Sequence, residues 1–359
     1  MNYNLNDTPF VKKMQTMAFA MLALGVVLLG ASAAGGSQNF WAGYIMGFQY
    51  FTGIGATMMF FSTIGFLMNV GWSAAIRRIA ELLSFFVYLV PILAIPILIA
   101  VMGDLHVYHW VNSSDEHLTH GFKGFYLNKL FFCGRIVFYC LAWILMHRFI
   151  IGNSIKQDTA TDIEPTRKNW KRAAPFILLY AITITFEAFD VVMSLEPHWF
   201  STIFGVYSFA GHWVSTVSII LILVNTLDNG GYLKGLVSRE HYHDLGKLMF
   251  AFTVFWTYIA FSQYFIIWYA NIPEETFFYT NRLQGGWEVF GWSSLFIHFF
   301  APFLFLLRQD IKRNPRVVRI GAFLLLFAHF IDLSWVILPV FGGHGEHTHF
   351  SPMLLMAGV

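Results

Sequence analysis

Residues 82–102 read LLSFFVYLVPILAIPILIAVM, twenty-one positions without a single charge. A bilayer core about 30 Å thick is crossed by a helix of about 20 mostly apolar residues, so this stretch reads as a membrane span. Working outward from Leu82–Met102, eight more stretches of similar character appear: Met14–Ser32, Ala42–Val70, Tyr126–Ile150, Ala173–Ser194, Thr202–Leu227, Leu248–Tyr269, Trp287–Leu307 and Arg319–Val340. A further apolar run begins at Ser351 and would start a tenth helix. The expected fold class is an all-α polytopic membrane protein, a single integral domain with nine or ten transmembrane helices.

Composition agrees. The 359 residues are 57% hydrophobic and only 12% charged, about half the charge of an ordinary soluble domain. Forty Phe, fifteen Tyr and twelve Trp suit a lipid-facing surface with interfacial aromatic belts. A net charge of +2 leaves no basic face for nucleic acid. Cys133 and Cys140 stand seven apart in one apolar run, roughly 10 Å along a helix, too far for a disulfide. No C-x-x-C-H motif for c-type haem occurs, and two cysteines do not make an iron–sulfur site.

Of the 22 Lys and Arg, all but Lys123, Lys129, Arg135 and Arg282 fall in the N-terminal segment or the even-numbered loops. This asymmetry places the N-terminus in the cytoplasm, and the expected location is the bacterial inner membrane. Lys12-Lys13, an apolar run and Gly30-Ala31-Ser32-Ala33-Ala34 together imitate a signal peptide. We expect the segment to be retained as the first helix.

The opposite loops have another character. Residues 104–123 hold His106, His109, His117 and His120, and the C-terminal loop holds His344, His347 and His349. His-rich tracts bind metals, and a polar surface packed against an external partner is the plainer alternative. The inner loop 152–171 reads as a charged connector. Leu195-Glu196-Pro197-His198-Trp199 makes a short outer hairpin, and Asn271-Ile272-Pro273-Glu274-Glu275 follows the seventh span, with Pro273 ending its helix. Both acidic motifs are placed at the outer surface, where an external protein would dock.

Ionisable groups at membrane depth cost at least ~2.5 kcal/mol each and mark function by default. At 1.5 Å per residue, Glu187 lies roughly 22 Å into the fifth span from Arg172, with Asp190 deeper, and Arg135 roughly 14 Å into the fourth span from Tyr126. His329 falls near the middle of the ninth span and Asp332 in its outer half. His212, Gln263 and His298, on three further spans, fall in the same layer. Glu187 and Asp190 are spaced i,i+3, as are His329 and Asp332, so each pair shares a helix face, and Thr183 extends the first. Two carboxylates so placed repel and favour a shared proton, and a His–Asp pair exchanges protons near neutrality. One reading is a proton relay, or a polar pocket for a ligand that exchanges protons. The alternative is a set of interhelical ion pairs, Arg135 with Glu187 or with Asp190. Three intramembrane histidines also admit b-type haem, with Gly205 and Gly211 flanking His212. Pro91 and Pro96 weakly suggest the broken helix of a proton-coupled secondary transporter.

Two long motifs carry a resemblance. One runs from Phe186-Glu187-Ala188-Phe189-Asp190 through Met193-Ser194-Leu195-Glu196-Pro197-His198-Trp199 to Gly205-Val206-Tyr207. The other runs from Phe261-Ser262-Gln263-Tyr264 to Trp268-Tyr269-Ala270-Asn271-Ile272-Pro273-Glu274-Glu275, with support from His298 to Pro302 and from His329, Asp332 and Trp335. On these residues the chain resembles the NrfD/polysulfide-reductase membrane-subunit family, most closely the F-type members found in bacterial alternative complex III, a respiratory quinol:cytochrome c oxidoreductase. The resemblance implies two packed four-helix bundles with flanking helices. It implies no catalytic residue, metal or haem in this chain, with quinol (menaquinol or ubiquinol) as a candidate ligand. The implied partners are a homologous C-type membrane protein of the same complex, peripheral iron–sulfur and multihaem cytochrome c proteins, a terminal oxidase and lipids. It also implies a proton path through Glu187, Asp190, His329, Asp332 and Arg135, and a quinone or polar pocket at His212, Gln263 and His298.

Overall fold

The computed structural model describes residues 9–34, 36–105 and 107–342. His106, His344, His347, His349 and the run from Ser351 lie outside the described residues. Among the described residues, nine long helices carry the chain: α1 (Pro9–Ala34), α2 (Ser37–Leu67), α3 (Ala74–Met102), α4 (Lys129–Lys156), α5 (Glu164–Val191), α6 (Phe204–Asn229), α7 (Arg239–Ala270), α8 (Glu288–Leu307) and α9 (Pro315–Phe341). Among these residues there is no strand, and α2 to α9 are each long and apolar enough to cross a membrane. The chain is an all-α multi-pass membrane protein.

Hydropathy found the apolar middles and missed polar ends. Asn128 caps α4 by accepting from Leu130 N, and Asn314 caps α9 by accepting from Arg316 N, so both helices begin at a cap rather than at the first apolar residue. The inner loop 152–171 is mostly helix, because α4 runs on to Lys156 and α5 begins at Glu164. Asn271 closes α7 in the left-handed conformation (φ 49°), and Pro273 opens a new short helix, Pro273–Arg282, in place of the expected loop. Pro suits a first helical turn because its missing N–H has no intrahelical partner there.

Two helices are broken at proline. Before Pro91, α3 tightens into a 3-10 stretch, Ser84–Tyr88. Before Pro302, α8 loosens into a π segment, Leu295–Phe300. In each case the proline ring would clash with the carbonyl four residues back, and the local change of register relieves it.

Helices α2, α3, α4 and α5 pack together, α6, α7, α8 and α9 pack together, and α1 lies against α2. The two bundles join where α2 and α5 meet α6 and α9. Helix α2 is central and buried along most of its length. Its Gly53 lies against the His212 ring of α6, where a Cβ would come within 2.2 Å of the imidazole. Gly211 is matched in the same way by the His329 ring, at 2.5 Å. Small residues allow this close approach, as at other membrane-helix crossings. Gly53→Ala should therefore lower stability by about 1–3 kcal/mol through overpacking. It would be measured as a lower unfolding midpoint in detergent, and an unchanged midpoint would mean that the helices part without cost.

The bundle end opposite the basic loops is covered. Val107, Tyr108, Trp110, Val111 and Leu118 are buried, so the His-bearing segment folds down onto the first bundle and is more than a polar surface. His198 meets Asp115 at 3.3 Å across this cover, and Trp199 stacks on Phe278 at 3.8 Å.

Candidate functional site: a buried polar layer between two bundles

The polar residues of the layer separate into three groups. In the first bundle, Arg135 of α4 makes a bidentate pair with Asp190 of α5. Nε donates to Oδ2 and Nη2 to Oδ1, both at 2.8 Å. Tyr139 donates to the same carboxylate at 2.7 Å, Arg135 Nη1 donates to the Tyr126 carbonyl, and the Tyr126 ring lies 3.8 Å from the guanidinium. Of the two partners sequence allowed for Arg135, the structure selects Asp190, and the ion-pair alternative holds for this pair. Every lone pair and N–H so engaged fixes the charge in place.

Glu187 shares a helix face with Asp190 but looks elsewhere. Gln49 of α2 donates to Glu187 Oε2 at 3.3 Å and reaches Ser208 of α6 at 3.3 Å, bridging the two bundles. Glu187 Oε1 is buried without a partner. The expected sharing of a proton between Glu187 and Asp190 finds no direct contact, since one carboxylate is taken by α4 and the other by α2. Thr183 leaves this group too and accepts from Trp143 Nε1 at 2.9 Å.

The third group lies in the second bundle. His212, His298 and His329 are 0–1% exposed; the His212 ring approaches the Gln49 backbone, and both ring nitrogens of His298 and of His329 lack a hydrogen-bond partner. The rings of His212 and His329 meet edge to face at 5.1 Å, and those of His298 and His329 lie 6.3 Å apart. His298 sits in the π segment of α8 and stacks on Trp256 at 3.7 Å. Asp332 Oδ2 is 3.9 Å from His329 Nδ1, too long for a hydrogen bond, and Tyr207 of α6 donates to Asp332 Oδ1. A bis-histidine haem would need two rings facing across a macrocycle, an arrangement the edge-to-face contact of His212 and His329 does not offer. Among the described residues, no cluster of three or more His, Cys, Asp or Glu has metal-binding geometry.

A cavity of about 590 Å³ adjoins the third group, between α7, α8, α9 and helix Pro273–Arg282. Gln263 lines it, whereas His212 and His298 do not. The expected polar pocket at those three residues is thus divided. Gln263 is held by Tyr279, to which its Nε2 donates at 3.2 Å, and by Ser201, which donates to its Oε1 at 3.1 Å. The two histidines belong to the core.

Sequence reading missed several members. Gln49 was hidden in α2, a span with no charge to draw notice. Tyr139 and Tyr207 each satisfy a carboxylate, yet isolated tyrosines in an aromatic-rich chain give no signal. Arg282, counted with the outer loops, is 1% exposed and pairs with Glu196 at 2.8 Å while donating to the Val336 carbonyl at 2.7 Å. Burial lowers the Arg282 pKa and the Glu196 carboxylate opposes that shift. Glu196 is accordingly turned inward, and of the two acidic motifs it is Glu274 that faces solvent. The chain matches no family model and no curated protein.

Proposed function

We propose that this chain is an integral membrane component of a quinol:cytochrome c oxidoreductase of the alternative complex III type, similar to the F-type members of that complex. In this reading it scaffolds the complex in the bacterial inner membrane, with the N-terminus cytoplasmic and the basic loops inside. It conducts protons through Glu187, His329 and Asp332, with the Arg135–Asp190 pair as a fixed charge beside the path. Electron transfer belongs to the partners: the homologous C-type membrane protein, the iron–sulfur and multihaem proteins, and a terminal oxidase.

One observation carries the reading. Four buried imidazole nitrogens on two helices, those of His298 and His329, have no protein partner, and each buried polar group left unpaired costs about 1–3 kcal/mol. Water is the group that satisfies such sites in a polar cavity. Imidazoles and carboxylates bridged by water pass protons, because each ring can accept at one nitrogen and release from the other. A transporter would favour breaks at matched positions of two repeats. Here the breaks fall in the second helix of one bundle and the third of the other.

The test is purification through a tag on this chain in mild detergent, with mass spectrometry and a reduced-minus-oxidised spectrum on one sample. Copurifying multihaem and iron–sulfur proteins are expected. A lone, colourless protein would overturn the respiratory reading.

A further inference from the structure

At the end of the second bundle that carries the basic loops, a cavity of about 440 Å³ lies where α7 begins, α8 ends and α9 begins. Arg239, Gln309, Asp310, Arg313, Asn314 and Pro315 line it. Arg239 is the first residue of α7 and Pro315 the first of α9, so the positive ends of two helix dipoles meet at one space.

The carboxylates around this space are already taken. Asp310 is held by Arg308, whose Nε donates to Oδ1 at 3.1 Å and Nη2 to Oδ2 at 2.7 Å. Glu240, next to Arg239, accepts from Arg313 Nη2 at 3.0 Å through Oε1 and at 3.2 Å through Oε2. The cations are in surplus. The Arg239 side chain is exposed and meets no carboxylate among the described residues. Arg313 Nε is buried without an acceptor, and Arg316 is exposed beside Pro315. Burial and, after it, the Lys247 ammonium lower the Lys312 pKa, a further sign that positive charge accumulates here.

Guanidinium groups short of acceptors at helix N-termini match a phosphate. The surroundings give its source and its charge. Leu304 and Leu307 near the end of α8, and Ile320 and Phe323 on α9, are well exposed, an apolar flank that suits acyl chains and that a soluble phosphate would not use. With Asp310 and Glu240 both engaged, the ammonium of a zwitterionic headgroup would find no counter-charge. We propose that this cavity binds the phosphate of an anionic phospholipid, of the phosphatidylglycerol class, from the leaflet on the basic side. Arg239 and Arg313 hold the phosphate, and the chains lie along α8 and α9. Contact with bulk lipid is common to every membrane span, whereas this is one phosphate at one place. The site goes beyond the respiratory reading and does not rest on it, since it requires only that the chain cross a membrane.

The probe is dioleoyl phosphatidylglycerol, titrated into the delipidated, purified protein with its copurifying partners, and bound lipid is counted by native mass spectrometry. Arg239→Gln removes an exposed cation that holds nothing else in place, so affinity at one site per chain should weaken about fivefold. Gln309→Glu puts a carboxylate on the wall and should weaken it at least as much. Lys171→Gln removes an equal charge from the basic end of the first bundle and should leave the site unchanged. Equal losses in Arg239→Gln and Lys171→Gln would reduce the effect to diffuse attraction and overturn the proposal. Equally tight binding of dioleoyl phosphatidylcholine would overturn it too, as would displacement of the lipid by inorganic phosphate at equal concentration. A protein that purifies without haem or iron–sulfur partners but shows the Arg239-dependent site would sink the respiratory reading and keep this one.

Discussion

Glu187→Gln is expected to leave the complex fully assembled and to slow coupled proton movement at least ~10-fold, within the range that a positioned proton-transfer group contributes. The side chain keeps its shape, Gln49 still has an amide oxygen to donate to, and the Gln49 bond to Ser208 is untouched, so α2, α5 and α6 stay joined. What is lost is the only oxygen in that group able to take up a proton and release it. Asp332→Asn should act similarly at the far side of the histidines, with Tyr207 still donating to the amide oxygen. The measurement is proton release per electron in vesicles holding the purified complex, with polypeptide composition checked on the same sample. Full proton stoichiometry in both variants would remove the relay and leave these carboxylates as structural pairs.

Asp190→Ala is expected to be far more damaging to the fold than to any chemistry. The Arg135 guanidinium would remain in place with two donors and no acceptor, and Tyr139 would lose its partner as well. Removing one member of a buried ion pair costs about 3–5 kcal/mol because the remaining charge is uncompensated. A membrane bundle weakened by that amount should show a much lower unfolding midpoint and a sharply reduced yield. Replacing both residues, Arg135→Leu with Asp190→Leu, removes the stranded charge and should restore most of the stability. If the single variant melts with the parent, the pair contributes nothing to the bundle. If the double variant is as poor as the single, the damage lies in packing and not in charge.

The layer could be located from sequence because depth along a span follows from counting residues, and ionisable groups at depth are rare enough to stand out. Sequence could not assign partners. Glu187 and Asp190 share one face of one helix, yet a turn of helix is enough to hand one to α4 and the other to α2. That division depends on which helices flank α5, and periodicity carries no record of it. The three histidines were visible singly, while their meeting depends on Gly53 and Gly211, whose value lies in atoms they lack. Helix ends were misjudged for a simpler reason. Hydropathy marks where lipid contact stops, whereas α4, α5 and α9 end where their caps and carbonyls are satisfied. The cavity had no signature, since aromatic residues on α7 and α8 read equally well as lipid-facing surface.

The division of the chain into two contiguous bundles has a consequence for biogenesis. Chains emerge N-terminus first, and contiguous units fold as they appear. The Arg135–Asp190 pair joins neighbouring helices α4 and α5, so it closes as soon as that hairpin is inserted. Gln49, which also holds Glu187, reaches Ser208 only when α6 arrives, and His212 finds Gly53 only when the second bundle docks. The newly inserted first bundle therefore exposes a partly unsatisfied polar seam to the bilayer, and the docking of the second bundle covers it. Retention of half-made chains by the insertion machinery would follow from that seam alone, and the polar layer would serve synthesis as a checkpoint before it serves anything else.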